Sequence, residues 1–268
     1  TSGRDPVVMI HGVGAWAENW REVLEPIAQS GRRAIAVDLP GFGESESAGA
    51  VRHFGPRDAF YPRFVTALLD ALSIASAHIV GSSMGGAVAY LTAVTVPERT
   101  RSLVLVASGG LGTDIALFLR LATLPGMVAL ARLFGRPSHG RDALRTCFYD
   151  PARIPAALYE ESERYGFRSY PEFVRAIRSG VTIRGVREDL RRHWVVQAER
   201  YRGPVLVVWG REDAVLPIRH LEEAKGVFPQ AEVRIVDRCG HLPMIERPDE
   251  FLATVLPFLE RADARAAA

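Results

Sequence analysis

The sequence has few cysteines and no long uninterrupted hydrophobic run. With only Cys147 and Cys239 among 268 residues, it lacks the cysteine content of a small secreted domain held by disulfides, and we expect two free thiols. The most apolar stretch, residues 115–134, contains two arginines and a Pro-Gly pair. It therefore falls short of the about 20 uninterrupted apolar residues that a membrane span needs. We interpret it as two short helices.

The sequence also lacks a charge bias of either sign. Its 33 basic and 31 acidic residues give a formal charge of +2, without the concentrated basic field that nucleic-acid binding requires. With 48% hydrophobic and 24% charged residues, the composition is typical of a folded, soluble protein. No leader pattern is visible, which favours a cytoplasmic location. The chain begins at Thr1 rather than Met, so removal of an N-terminal leader peptide is an alternative.

Short aliphatic runs alternate with helical patterns along the chain. Helix-type spacing of apolar residues begins at Trp20, Phe64 and Phe251. The runs span residues 7–10, 34–37, 77–80, 103–106, 205–208 and 233–236. Continuous apolar runs are typical of strands buried on both faces, and parallel neighbours need a crossover such as a helix. We therefore predict an α/β fold with a mainly parallel sheet flanked by helices.

The alternation is interrupted once. We predict a core of residues 1–110 and 201–268 with a helical cap inserted at residues 111–200, where no convincing strand is found. Turn-forming pairs divide this insertion into four or five helices, with breaks expected at Pro125-Gly126, Arg136-Pro137, Asp150-Pro151, Tyr170-Pro171 and Ser179-Gly180. The insertion has a mild excess of arginine, which fits a solvated helical surface better than an anion-recruiting lid.

A Gly-x-Ser-x-Gly motif stands between the third run and a helix of small residues. Ser83 lies at its centre, with Gly81 and Gly85 two residues away on either side. So sharp a turn forces the serine toward an unfavourable backbone conformation and leaves no room for flanking side chains. After a strand and before a helix, the motif predicts a nucleophilic serine. Ser82 is the competing hydroxyl, but it lies off the centre of the motif.

A serine nucleophile needs a base to take its proton and a carboxylate to orient that base. Asp213 follows the fifth run, with Glu212 as the rival acid, and His241 follows the sixth. The carboxyl ends of parallel strands meet at one edge of a sheet, so we expect these loops to gather there. The order serine, aspartate, histidine is that of one hydrolase class. We predict Ser83, Asp213 and His241 as a catalytic triad.

Negative charge on an attacked carbonyl needs aligned N–H donors. His11-Gly12 follows the first run, and its glycine allows close backbone approach, so the Val13 N–H is the first candidate for an oxyanion hole. The Met84 N–H, at the start of a helix, is the second. We interpret His11 as a structural residue that orients this loop. Further candidate substrate-binding residues are Leu111, Phe118 and Leu242.

These motifs resemble those of the α/β-hydrolase superfamily, including its nucleophile elbow, over nearly the whole chain. The segment Asp38-Leu39-Pro40-Gly41-Phe42-Gly43-Glu44-Ser45 adds to the resemblance, because in relatives it forms the turn beside the active-site mouth. The resemblance implies an eight-stranded sheet with a cap. Relatives usually have an antiparallel strand pair before the first run, but only five residues precede Pro6, so we predict mainly six parallel strands. Residues 34–37 then form an apolar edge, which favours aggregation or a homodimer.

Three functions are compatible with this pattern. We expect a serine hydrolase that cleaves small-molecule carboxylic esters without cofactor or metal. The cap and the stretch Gly109-Gly110-Leu111-Gly112 also resemble hydrolases of carbon–carbon bonds in ring-fission products, which usually carry Asn where Ser82 stands and Trp where Leu242 stands. The third function is a ligand-binding receptor on the same scaffold. Ser83 excludes the aspartate nucleophile of dehalogenases and epoxide hydrolases. Cofactor-free haloperoxidases share the triad, so haloperoxidase activity is a further alternative.

Overall fold

The computed structural model describes residues 4–56, 59–134 and 137–267. The strands are β1 Arg4–Ile10, β2 Arg32–Val37, β3 Ala77–Ser82, β4 Thr100–Val106, β5 Val181–Thr182, β6 Gly185–Val186, β7 Val205–Gly210 and β8 Glu232–Val236. The α-helices are α1 Arg21–Gln29, α2 Phe60–Ala71, α3 Met84–Thr95, α4 Leu117–Leu121, α5 Met127–Phe134, α6 Pro137–Thr146, α7 Ala156–Gly180, α8 Glu188–Gln197, α9 His220–Val227, α10 Pro243–Glu246 and α11 Pro248–Ala267. Cys147 and Cys239 are free thiols.

The main sheet has six strands within these residues, in the order β2-β1-β3-β4-β7-β8. Every neighbouring pair is parallel, which confirms the predicted mainly parallel sheet, with six strands rather than the eight that the resemblance implied. β2 lies at one edge, and the side chains of residues 34–37 are half-buried there.

Helices cover both faces of the sheet, which separates the interior into two hydrophobic clusters. Side chains alternate between the faces of a strand. In β1, Val8 and Ile10 therefore join the first cluster, together with residues of α2 and α3. Val7 and Met9 join the second, together with residues of α1 and α11. Burial on both faces explains why β1, β3, β4 and β7 have continuous apolar runs.

The segment between β4 and β7 contains five α-helices in its described residues, α4 to α8, in agreement with the four or five expected. Two details differ from the expectation. β5 and β6 form a short antiparallel pair where no strand was predicted. α7 also continues through Pro171, because burial of neighbours such as Val174 and Ile177 outweighs the helical hydrogen bond that proline removes. The boundaries of the core and the cap stay a prediction.

Candidate active site

Ser83 occupies a strained turn between β3 and α3. Its backbone has φ +55° and ψ −119°, a region that residues other than glycine rarely adopt. A Cβ at Gly81 would lie 2.1 Å from the Gly85 oxygen, and a Cβ at Gly85 would lie 2.2 Å from the Ile10 oxygen. These approaches leave room for hydrogen only, so the flanking glycines are sterically required, as the sequence predicts.

Backbone hydrogen bonds hold this turn against the end of β4. The Ser83 N–H donates to the Val106 oxygen at 2.9 Å, and the Ser83 oxygen accepts from the Gly109 N–H at 2.8 Å. The strained conformation is thus fixed by β4 and the loop that follows it, and the side chain of Ser83 sits at the carboxyl edge of the sheet.

Asp213 and His241 are in direct contact. His241 Nδ1 lies 2.8 Å from Asp213 Oδ2, and Asp213 Oδ1 accepts the N–H groups of Val215 at 2.8 Å and Leu216 at 2.9 Å. With Nδ1–H donating to the carboxylate, the other ring nitrogen, Nε2, keeps its lone pair and can accept a proton. The rival acid, Glu212, instead accepts from the Cys239 N–H at 3.0 Å and so joins the two loops.

The loop that carries His241 is fastened by a residue that the sequence analysis missed. Glu246 is 1% exposed, and its carboxylate accepts three backbone N–H bonds, from Gly240 at 2.7 Å, Asp150 at 2.8 Å and Tyr149 at 3.1 Å. The His241 N–H also donates to the Cys147 oxygen at 2.7 Å. No local pattern indicates this role, because two of the donors lie about a hundred residues earlier in the chain.

Ser83 and His241 lie at the same sheet edge, since their loops follow β3 and β8 of one parallel sheet. In the part of the chain that the structure describes, Ser83 Oγ and His241 Nε2 do not form a hydrogen bond with each other. Two of the three predicted triad members are therefore in contact, and the third is placed at the same edge. Catalytic hydrogen bonds are often long without substrate and shorten when it binds.

The loop after β1 adjoins Ser83. A Cβ at Gly12 would lie 3.0 Å from Ser83 Cβ. In the part of the chain that the structure covers, the N–H groups of Val13 and Met84 have no hydrogen-bond acceptor, and Met84 opens α3, where the helix dipole favours negative charge. Both N–H groups are thus available to an oxyanion.

His11 orients this loop as the sequence analysis expected. Its Nδ1 donates to the Gly12 oxygen at 2.7 Å, and its Nε2 accepts from the Leu39 N–H at 3.0 Å. Burial lowers the pKa of His11 to about 4, against the smaller raising effect of the bond to Gly12. The ring is therefore neutral at pH 7, and both its nitrogens are used by the backbone.

The apolar residues predicted at the site fall into two hydrophobic clusters. Met84 and Leu111 are buried in the first hydrophobic cluster, and Val13 and Phe118 are half-buried against it. Leu242 instead lies in the second cluster.

Two aromatic side chains between β4 and β7 approach the loops of the site, and the sequence analysis did not predict them. A Cβ at Gly14 would lie 3.2 Å from the Phe173 ring, and a Cβ at Gly110 would lie 3.2 Å from the Trp194 ring. Helical periodicity predicts that α7 and α8 have buried faces, but not which loops those faces meet.

Comparison with known proteins covers most of the chain. A family model described as alpha/beta hydrolase fold matches residues 5–248. A 2-hydroxymuconate semialdehyde hydrolase of Pseudomonas sp. (strain CF600) is 33% identical over 97% of this chain and 89% of that protein. The dihydrolipoyllysine-residue acetyltransferase component of the acetoin cleaving system of Pseudomonas putida is 35% identical over 97% of this chain, which spans 64% of that protein. An esterase structure from Rhodococcus sp. ECU1013 gives a TM-score of 0.76 at 23% identity, covering 96% of this chain and 90% of that one, a likeness of fold alone.

Proposed function

The chain belongs to the α/β-hydrolase family, and from that premise we propose that it is a serine hydrolase that cleaves carboxylic esters through an acyl-enzyme. The observation that carries the proposal is the 2.8 Å contact between His241 Nδ1 and Asp213 Oδ2, which leaves Nε2 free to act as a base. The strained turn at Ser83, on the same sheet edge, supports the serine as nucleophile.

In the proposed reaction, Ser83 Oγ attacks the ester carbonyl carbon while His241 Nε2 takes the hydroxyl proton. Asp213 stabilises the resulting imidazolium. The N–H groups of Val13 and Met84 donate to the oxyanion, and such a donor contributes about 3–4 kcal/mol in other hydrolases. The imidazolium then protonates the leaving alkoxide, and the alcohol departs. A water molecule, activated by His241, attacks the acyl carbon and releases the acid.

We further propose that residues 111–200 form a cap over this site. The approach of Phe173 to Gly14 supports it. A buried polar contact supports it as well, because the Glu172 carboxylate on α7 bonds to His53 and accepts from Ser47 Oγ at 2.6 Å, both in the loop between β2 and α2. A cap fastened in this way restricts the site to small-molecule substrates.

Carbon–carbon bond hydrolysis is the second candidate, with the same triad acting on a vinylogous diketone acid. The 33% identity to a 2-hydroxymuconate semialdehyde hydrolase favours it. Two positions speak against it, since Ser82 and Leu242 stand where such enzymes usually carry Asn and Trp. Leu242 is buried in the second hydrophobic cluster, whereas Met84 and Leu111 are buried in the first.

A panel of aryl esters of increasing acyl length, run beside one ring-fission product, tests both candidates. We expect Ser83→Ala to abolish ester turnover and labelling by a fluorophosphonate, while the matched control Ser82→Ala keeps both. Ester turnover by Ser83→Ala at the wild-type rate would refute the mechanism. Faster turnover of the ring-fission product than of every ester would favour the second candidate. A ligand that binds tightly and is released unchanged would favour a receptor.

A further inference from the structure

Helices α4 and α5, with the turn between them, expose large apolar side chains to solvent. We call these six residues the apolar patch: Leu117, Leu121, Leu124, Leu130, Leu133 and Phe134, which are 39–75% exposed. Leu117 and Leu121 lie on one face of α4, Leu124 lies in the turn that follows, and Leu130, Leu133 and Phe134 lie on one face of α5. Other exposed large apolar residues in the described chain, such as Phe167 and Val196, occur singly. A concentration of this kind is typical of an interaction surface.

Positive charge accompanies the apolar patch. Arg178 donates to the backbone oxygens of Thr123 and Leu124, and Arg120 donates to the Ile183 oxygen at 2.7 Å. Within the described residues, these guanidinium groups bond to carbonyl oxygens and neither forms an ion pair with a carboxylate. Residues 115–134 contain no acidic residue. The nearby acid Asp114 is already paired with Arg219 at 2.6 Å.

An open groove with a volume of about 530 Å³ lies beside the patch. Its described lining is Gly126, Val128, Ala129, Leu133 and Arg178. The lining is apolar except for one guanidinium. That combination suits an acyl chain whose anionic headgroup meets Arg178.

We propose that the apolar patch, with Arg120 and Arg178, docks onto a bilayer surface that contains anionic lipid. None of the helices in the described ranges can cross a membrane, but short helices with Leu and Phe on one side and arginine beside them bind in the headgroup region. A second copy of the chain fits less well. In a symmetric dimer the patch would meet itself, and the same arginines would come together without counter-charges.

Sedimentation with lipid vesicles tests the proposal. Wild-type protein is mixed with vesicles of phosphatidylcholine alone or of an equal mixture with phosphatidylglycerol. The double variant Leu133→Ser with Phe134→Ser removes two of the most exposed patch residues. The matched control, Phe167→Ser with Val196→Ser, removes two equally exposed apolar residues elsewhere. Thermal unfolding checks that both variants fold.

We expect wild type and control to bind the mixed vesicles and the patch variant to bind about tenfold or more weakly. Arg178→Gln should weaken binding about fivefold, and only on vesicles that contain phosphatidylglycerol. Equal binding by the patch variant and its control would overturn the proposal. So would a dimer in sedimentation velocity that the patch variant abolishes while wild type leaves the vesicles unbound.

Discussion

The buried carboxylate of Glu246 offers a sharp test of how the base is positioned, through Glu246→Gln. Oε2 accepts the N–H groups of Gly240 and Tyr149, and Oε1 accepts that of Asp150. Glutamine keeps the shape but replaces one oxygen with an N–H donor, so at least one backbone N–H faces another donor. A bond to a charged acceptor contributes about 1.5–3 kcal/mol, and an unsatisfied buried donor costs about 1–3 kcal/mol. We expect the free energy of unfolding to fall by about 2.5–6 kcal/mol, the sum of these two effects.

Urea denaturation at pH 7, followed by circular dichroism, measures this loss. The matched control is Glu250→Gln, an exposed acid in the first turn of α11, for which we expect less than about 1 kcal/mol. Because Gly240 directly precedes His241, we also expect Glu246→Gln to lower kcat for an aryl ester while leaving KM nearly unchanged. A denaturation midpoint equal to that of Glu250→Gln, together with wild-type kcat, would refute the reasoning.

Three further changes test other parts of the molecule. Gly85→Ala places a Cβ 2.2 Å from the Ile10 oxygen, so we expect a loss of stability of at least about 3 kcal/mol in thermal unfolding, and a wild-type Tm would contradict the steric account. Asp213→Asn should lower kcat for an aryl ester about 10⁴-fold by favouring the wrong tautomer of His241, and a loss below tenfold in steady-state assays would contradict the triad. For Glu172, burial raises the pKa, but hydrogen bonds from His53, Arg175 and Ser47 outweigh it and lower the pKa to about 2. Since the folded pKa is below the ordinary value, Glu172 contributes about 3 kcal/mol above pH 4.5, lost as the pH falls from 4.5 toward 2. Urea denaturation across this window should show that loss in wild type and not in Glu172→Gln.

The sequence was sufficient where the constraint is local. The turn at Ser83 requires glycine at two fixed positions, and that requirement is visible within five residues. The parallel sheet was predictable for a similar reason, since burial on both faces leaves a continuous apolar run in each strand. The preference for Asp213 over Glu212 had no such local constraint behind it. They are adjacent in one loop, and only its fold decides which carboxylate meets the imidazole.

Interactions between distant segments were beyond the reach of sequence patterns. Glu246 accepts hydrogen bonds from backbone N–H groups, which every residue except proline carries. The residue types of its partners therefore do not indicate the contact. Phe173 lies one residue from Glu172 and two from Pro171, where a helix break was expected. The continuous course of α7 depends on burial that the local sequence does not encode.

The main-chain bonds around residues 147–150 couple the loop of His241 to the segment between α6 and α7. Since these bonds use backbone atoms, side chains in that segment can diverge without disturbing the histidine. Displacement of the segment, in contrast, would drag the imidazole with it. Side chains of the segment between α6 and α7 can therefore be replaced, by evolution or by design, provided that the backbone path of residues 147–150 is kept.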